Sequence, residues 1–165
     1  MPLLIIRFIN ITLTGLLAGT SFGIWVGFNP MYFSYLTYLE QQQNTIRSLN
    51  TLMIGLVISA TIITVISAYL QRKNKPALIL LLLASLFLIS CIVISKAFNQ
   101  PINIEIMSWK YDSLPSDWTI LRDKWWSYHI IRTIAELLAF ALIVFNSVAR
   151  KMNSNVMDLN LASNI

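Results

Sequence analysis

The sequence holds one cysteine, one histidine, five glycines and five prolines, and only 12% of its residues are charged. Each scarcity removes a class of protein. A lone Cys91 builds no disulfide framework, and without a Cys/His cluster no zinc or iron–sulfur site is expected. Glycine and proline this sparse exclude collagen-like and glycine-rich architectures, and the low charge excludes intrinsic disorder. P-loop and GxGxxG patterns are missing, and with them the common soluble nucleotide sites. A soluble domain carries about 25% charged residues, so an ordinary soluble fold is excluded as well.

What is abundant is apolar: 56% of residues are hydrophobic and the mean hydropathy is +0.66. Uncharged runs extend from Phe8 to Leu39, from Ser48 to Leu70 and from Ala77 to Ser95, each long enough to cross a hydrocarbon core that needs about 20 apolar residues. A fourth candidate begins near Trp126. It contains His129, Arg132 and Glu136 and is uncharged from Leu137 to Ala149. The expected fold is therefore an all-α integral membrane four-helix bundle over 1–151, with spans at about 8–28, 48–70, 77–97 and 126–149. A polar cytoplasmic tail without periodicity follows over 152–165. The first helix reads as uncleaved, because Arg7 alone makes a poor signal-peptide start and no small-x-small site precedes a polar segment. Cys91, in mid-span, reads as a small buried hydrophobe.

Charge placement orients the bundle, since Lys and Arg gather on the cytoplasmic side of short loops. With four spans, both termini and the middle loop share one face. That face carries Arg7, Arg72, Lys73, Lys75, Arg150 and Lys151 against Asp158 alone. The remaining six cations, Arg47, Lys96, Lys110, Arg122, Lys124 and Arg132, are matched by Glu40, Glu105, Asp112, Asp117, Asp123 and Glu136. The whole net charge of +5 thus falls on one side. This predicts cytoplasmic termini and two outer loops, about 29–46 and a long structured one over 97–125. The basic excess is topogenic, so no nucleic-acid partner is expected.

Helix one carries Gly15, Gly19, Gly23 and Gly27 at four-residue spacing. Such a ridge lets another helix approach closely, and Gly55 with Ser59 offers a complement on helix two. The expectation is a tight hairpin of helices one and two, with the same ridge available for pairing two copies of the chain. Any cavity then falls among helices two, three and four.

On helix four, Arg122, Trp125, His129, Arg132 and Glu136 follow one another at alternating steps of three and four, which aligns them on a single stripe. At 1.5 Å per residue, Glu136 lies roughly 15 Å below Trp126. Helix three ends in Ser95, Lys96, Asn99, Pro101 and Asn103, and helix two opens with Gln43, Asn44 and Arg47. All belong to the outer half, where they predict a polar pocket. Each residue has a structural reading beside the functional one. Lys96 reaches the headgroups or the pocket. Trp109, Trp118, Trp125 and Trp126 form an interfacial belt or stack on a planar guest. Arg132 and Glu136 are a buried pair that ties the bundle or two groups facing a ligand. His129 donates to a carbonyl or acts as a base. Taken together, two cations at depth, Lys96 and Arg132, face the single deep anion Glu136, leaving positive potential for an anionic or enolate-like guest.

The segment Asn99-Gln100-Pro101-Ile102-Asn103, then Trp109, then Asp117-Trp118 and Arg122-Asp123-Lys124-Trp125, then His129 and Arg132-Thr133, resembles the anthrone oxygenase-like family of small four-span membrane proteins. Members show N-x-P-x-N, a W, W-x-x-x-R-x-x-W and a closing R-T. Gly19-Thr20 with Trp25, and Gln43 with Ile46, also look like that family, and the resemblance covers most of 13–145. It implies a bacterial inner (plasma) membrane protein and an oxidoreductase that oxidises anthrones without metal or cofactor. The family positions fall on Asn99, Pro101, Asn103, Trp109, Trp118, Arg122, Trp125, His129 and Arg132. Gln100 stands where an aliphatic residue is expected.

Two functions follow. One is a cofactor-independent oxygenase acting on a planar phenolic or anthrone-like substrate. In it, His129 and Arg132 are catalytic, as base and enolate stabiliser, and Asn99, Asn103, Trp109, Arg122, Trp125, Lys96, Glu136 and Gln43 bind the substrate. The other is a non-enzymatic membrane module that binds a lipid, quinone or partner protein. A transporter would show inverted repeats, and the two halves show no self-similarity.

Overall fold

The structure is a computed structural model that describes the backbone of residues 2–113 and 115–162 and the side chains of residues 3–113 and 115–149. Five helices carry the chain: α1 (Pro2–Gly27), α2 (Tyr35–Leu70), α3 (Lys75–Ile94), α4 (Gln100–Ser108) and α5 (Trp118–Ala162). A short 3-10 turn, Pro30–Tyr32, lies between α1 and α2, and a π-helical turn, Ser95–Asn99, joins α3 to α4. Four stretches are long and apolar enough to cross a membrane: Leu3–Tyr32, Tyr35–Leu70, Lys75–Ser108 and Trp118–Ala149. The protein is an all-α membrane bundle. An even number of crossings returns the chain to the side it started from.

Local chemistry sets the helix ends. Ser34 caps α2 by accepting from the Thr37 amide, and Asn74 caps α3 by accepting from the Ala77 amide, with Pro76 in the first turn. Both use the side-chain oxygen to satisfy an amide that has no partner within the helix. Pro101 has no N–H to offer the carbonyl four residues back, and the ladder resolves this as the π-helical turn just before it. The 99–103 motif, expected as part of an outer loop, therefore sits on a helix that continues to Ser108. The connection from α4 to α5 spans only 109–117. α5 continues to Ala162 in backbone, so the described part of the 152–165 segment is helical. The side chains of Arg150, Lys151 and Asp158, used in the charge argument, lie outside the described residues.

The helices form a ring in which α1 and α3 each pack on both α2 and α5. In the half nearer the α2–α3 turn, Leu17, Met53, Val57, Ala60, Leu81, Ala84, Leu88, Ala135, Ala139 and Ile143 make one core cluster. Alanines at 0% exposure, Ala60, Ala84 and Ala139, are where backbones approach. In the half nearer α4, Tyr38, Leu39, Ile102, Ile106, Trp109, Trp125 and Trp126 form an aromatic cap.

The glycine ridge does not make the α1–α2 contact. Only Gly15 meets a neighbour, and that neighbour is Phe140 of α5, 3.2 Å from where a Cβ would stand. Around Gly19, Gly23, Gly27 and Gly55 nothing lies within 4 Å of such a Cβ. The reason is the helical period. At 100° per residue, each four-residue step turns about 40° further round the axis, so a ridge that starts beside α5 winds out to the lipid face. The inward face of α1 is instead Asn10, Thr14, Leu17, Ala18 and Ser21, all at most 1% exposed.

Lipid is as apolar as leucine, so polar contacts between helices count for more here than apolar burial. Asn10 Oδ1 accepts from Thr64 Oγ1 at 2.8 Å, and Arg7 donates to Gln71; both bonds join α1 to α2. Gln43 Nε2 donates to the carbonyls of Ile106 (2.9 Å) and Trp109 (3.2 Å), which fixes the end of α4 to α2. Each such bond contributes about 0.6 kcal/mol, with an upper limit near 1.7.

Candidate functional site

The predicted stripe on α5 faces inward: Arg122, Trp125, His129 and Glu136 are 8%, 4%, 0% and 2% exposed. Halfway along it lies a partly open cavity of about 60 Å³. Its polar wall comes from Thr45, Asn50, Ser95, Asn99, Gln100, Asn103, Arg132 and Glu136. Its apolar wall comes chiefly from Leu17 and Ile24 of α1, from Met53 and Val57 of α2, and from Trp125. Helix α1 thus contributes to the chamber, against the expectation that only helices two, three and four would.

Arg132 and Glu136 sit one turn apart on this wall, yet no ion pair joins them. Among the described residues, the salt bridge found is Arg122 Nε to Asp123 Oδ1 at 2.7 Å. The Arg132 guanidinium instead donates from Nη1 to Ser95 Oγ at 3.4 Å and from Nη2 to His129 Nδ1 at 3.2 Å. Its Nε has no partner, and neither has Glu136 Oε2. Asn99 Nδ2 donates to the Trp125 carbonyl at 3.2 Å, while Asn99 Oδ1 is unpartnered. A buried charge or amide without a partner is costly, and three such atoms lie on residues that line one cavity.

His129 stands one layer behind the wall. Its Nε2 lies 3.2 Å from the Ser21 carbonyl, which can only accept, and its Nδ1 faces a guanidinium that can only donate. These partners assign the neutral tautomer with the proton on Nε2. Trp125 stacks on the ring at 5.2 Å and 4°, and Trp126 at 5.6 Å and 23°. The imidazole is thereby fixed in position and fixes Arg132 in turn.

Of the residues expected at the site, the chamber brings together Asn99, Asn103, Trp125, Arg132 and Glu136. Trp125 Nε1 donates to Asn103 Oδ1 at 2.8 Å, which holds both on the wall. The others lie elsewhere. Arg122 belongs to the aromatic cap, its guanidinium 5.0 Å over the Trp118 ring. Trp109 donates from Nε1 to Glu105 at 3.3 Å in the same cap. Gln43 is the tether described above, and Lys96 is exposed on the π-helical turn. Cys91 packs in the core and donates to the Arg132 carbonyl at 3.4 Å. Wall residues not expected from sequence are Thr45 and Asn50, with Gln100 donating to Asn50 Oδ1 at 2.6 Å. Their signal was present as polar residues at helical spacing from Gln42, which is itself fully buried with both amide atoms unpartnered.

A bundle of four apolar helices with a charged chamber between them belongs to the class of small all-α integral membrane proteins. The chain matches the anthrone oxygenase family over residues 43–142, more than half of its 165 residues, and it belongs to that family. The match begins at Gln43 and so includes the chamber walls of α2, the π-helical turn, α4 and α5 but not those of α1. No curated protein and no solved structure matches the chain.

Proposed function

We propose that the protein is a cofactor-independent oxygenase that brings the acidic edge of a planar phenolic or anthrone-like substrate into the chamber. The observation that supports this most is a half-buried guanidinium and a buried carboxyl on one cavity wall that are not bonded to each other. A methylene flanked by aromatic rings and conjugated to a carbonyl loses a proton, and the electron pair moves onto the carbonyl oxygen. A cation fixed in a dry site stabilises that oxygen. Dioxygen then adds to the carbon as the oxidant, and the hydroperoxide loses water to leave a carbonyl. Arg132 is the stabilising cation in this reading, Asn99 and Asn103 orient the guest, and Trp125 stacks on it.

Volume limits what enters. At about 10–15 Å³ per water, 60 Å³ holds about four to six waters, enough for dioxygen and the reacting edge of a substrate. The same small volume favours a second reading, a module that holds a quinone headgroup or a lipid chain without turnover.

The protein is further proposed to lie in a bacterial inner membrane with its termini cytoplasmic. Membrane lipid surrounds it, and Gly19, Gly23 and Gly27 are open to a second copy. Turnover of added anthrone under air is the test of the main reading. Arg132→Ala and His129→Ala should each lose most of the activity while remaining folded in detergent, and undiminished turnover in both contradicts the assignment.

A further inference from the structure

We infer that Glu136, and not His129, takes the proton from the substrate, with His129 acting as a positioning residue for Arg132. The inference rests on the oxygenase reading above and deepens it.

A general base must present a free lone pair to the reacting carbon. His129 has none to present. One ring nitrogen donates to the Ser21 carbonyl, the other accepts from Arg132, and Trp125 and Trp126 pack against the ring. The residue is 0% exposed and absent from the cavity wall. To act as a base it would first have to release Arg132 and then face that guanidinium as an imidazolium, cation against cation.

Glu136 meets each requirement that His129 fails. It lines the cavity and is 2% exposed. Its Oε2 has no hydrogen-bond partner, and no ion pair commits the carboxylate. It sits one turn, about 6 Å along the axis, below Arg132. One guest can therefore meet the cation at its oxygen and the carboxylate at its acidic carbon. In the step, the substrate C–H bond breaks and the proton passes to Glu136 Oε2. The electron pair delocalises onto the substrate oxygen held by Arg132, and the carbanion is then oxidised by dioxygen. Because proton removal precedes oxygen, it can be observed without it.

The experiment follows hydrogen–deuterium exchange at the methylene of anthrone in anaerobic D2O, by NMR, with the purified protein and with buffer alone as the baseline. Quenching of tryptophan fluorescence measures binding in the same samples. Wild type should accelerate exchange. Glu136→Gln should lose roughly 10²–10⁴-fold of that acceleration while still quenching, and Glu136→Asp should regain part of it. His129→Gln, which keeps a donor and an acceptor, should raise the half-saturating anthrone concentration more than it lowers saturated exchange. Exchange in Glu136→Gln at the wild-type rate, in a protein that still oxygenates anthrone, overturns this inference alone. A wild type that neither exchanges nor oxygenates anthrone overturns the oxygenase reading and this inference with it.

Discussion

Replacing Gln43 with leucine separates a tether from a ligand-binding residue. Gln43 is 7% exposed, and its Nε2 reaches the carbonyls of Ile106 at 2.9 Å and Trp109 at 3.2 Å. Ile106 O also accepts from the Trp109 amide at 3.2 Å, so only the Trp109 carbonyl would be orphaned. Losing the bond to Ile106 costs about 0.5–1.5 kcal/mol, and orphaning the buried Trp109 carbonyl about 1–3 kcal/mol. The net cost of Gln43→Leu is then about 1.5–4.5 kcal/mol. For a chain of this size 1 kcal/mol moves the midpoint by about 2–4 °C, which gives a fall of roughly 3–18 °C in detergent. The loss should be local, so amide exchange over 106–113 should accelerate while that over Ala84 and Leu88 does not. An unchanged melt together with unchanged protection at 106–113 would refute the argument, and a pure loss of ligand affinity would return Gln43 to the binding residues.

Other variants probe separate parts of the bundle. Gly19→Ala and Gly23→Ala enter open space, so the isolated protein should melt within about 1 °C of wild type; loss of a crosslinked dimer in lipid would show that this face pairs copies. Thr64→Val removes the donor to Asn10 across α1 and α2, and chemical denaturation in micelles should report a loss of about 0.6–1.7 kcal/mol, while no loss would remove that bond from the account. Trp125→Phe deletes the bond to Asn103 but keeps an aromatic wall. A planar quencher should still bind, several-fold more weakly, and unaltered affinity would mean that Asn103 needs no such support.

Much of this arrangement was legible because two periods are strong. Apolar runs of about 20 residues set the four crossings, and the alternating three and four steps from Arg122 to Glu136 put the ionisable groups on one inward stripe. What failed was neighbour assignment. Gly15 to Gly27 looked like a packing ridge, but a four-residue spacing drifts, and sequence does not say where on the circle the drift begins. Asn10, Thr14 and Ser21 track the inward face better, since their mean step is nearer the helical period. The site was partly legible for a related reason. Asn99 reaches the wall from the π-helical turn just before Pro101 and Arg132 reaches it from α5, whereas Lys96, on that same turn, is exposed. Whether His129 lines the chamber or stands behind it depended on Ser21, a residue of another helix that no local pattern connects to it.

The account depends most on the chamber between Arg132 and Glu136 being where a guest is held. A high-resolution structure in lipid, determined without oxygen and in the presence of anthrone, tests this directly. The account predicts planar density against Trp125 with an oxygen about 2.7–3.1 Å from the Arg132 guanidinium and its methylene toward Glu136. Density elsewhere, with the chamber closed and unchanged, would contradict it.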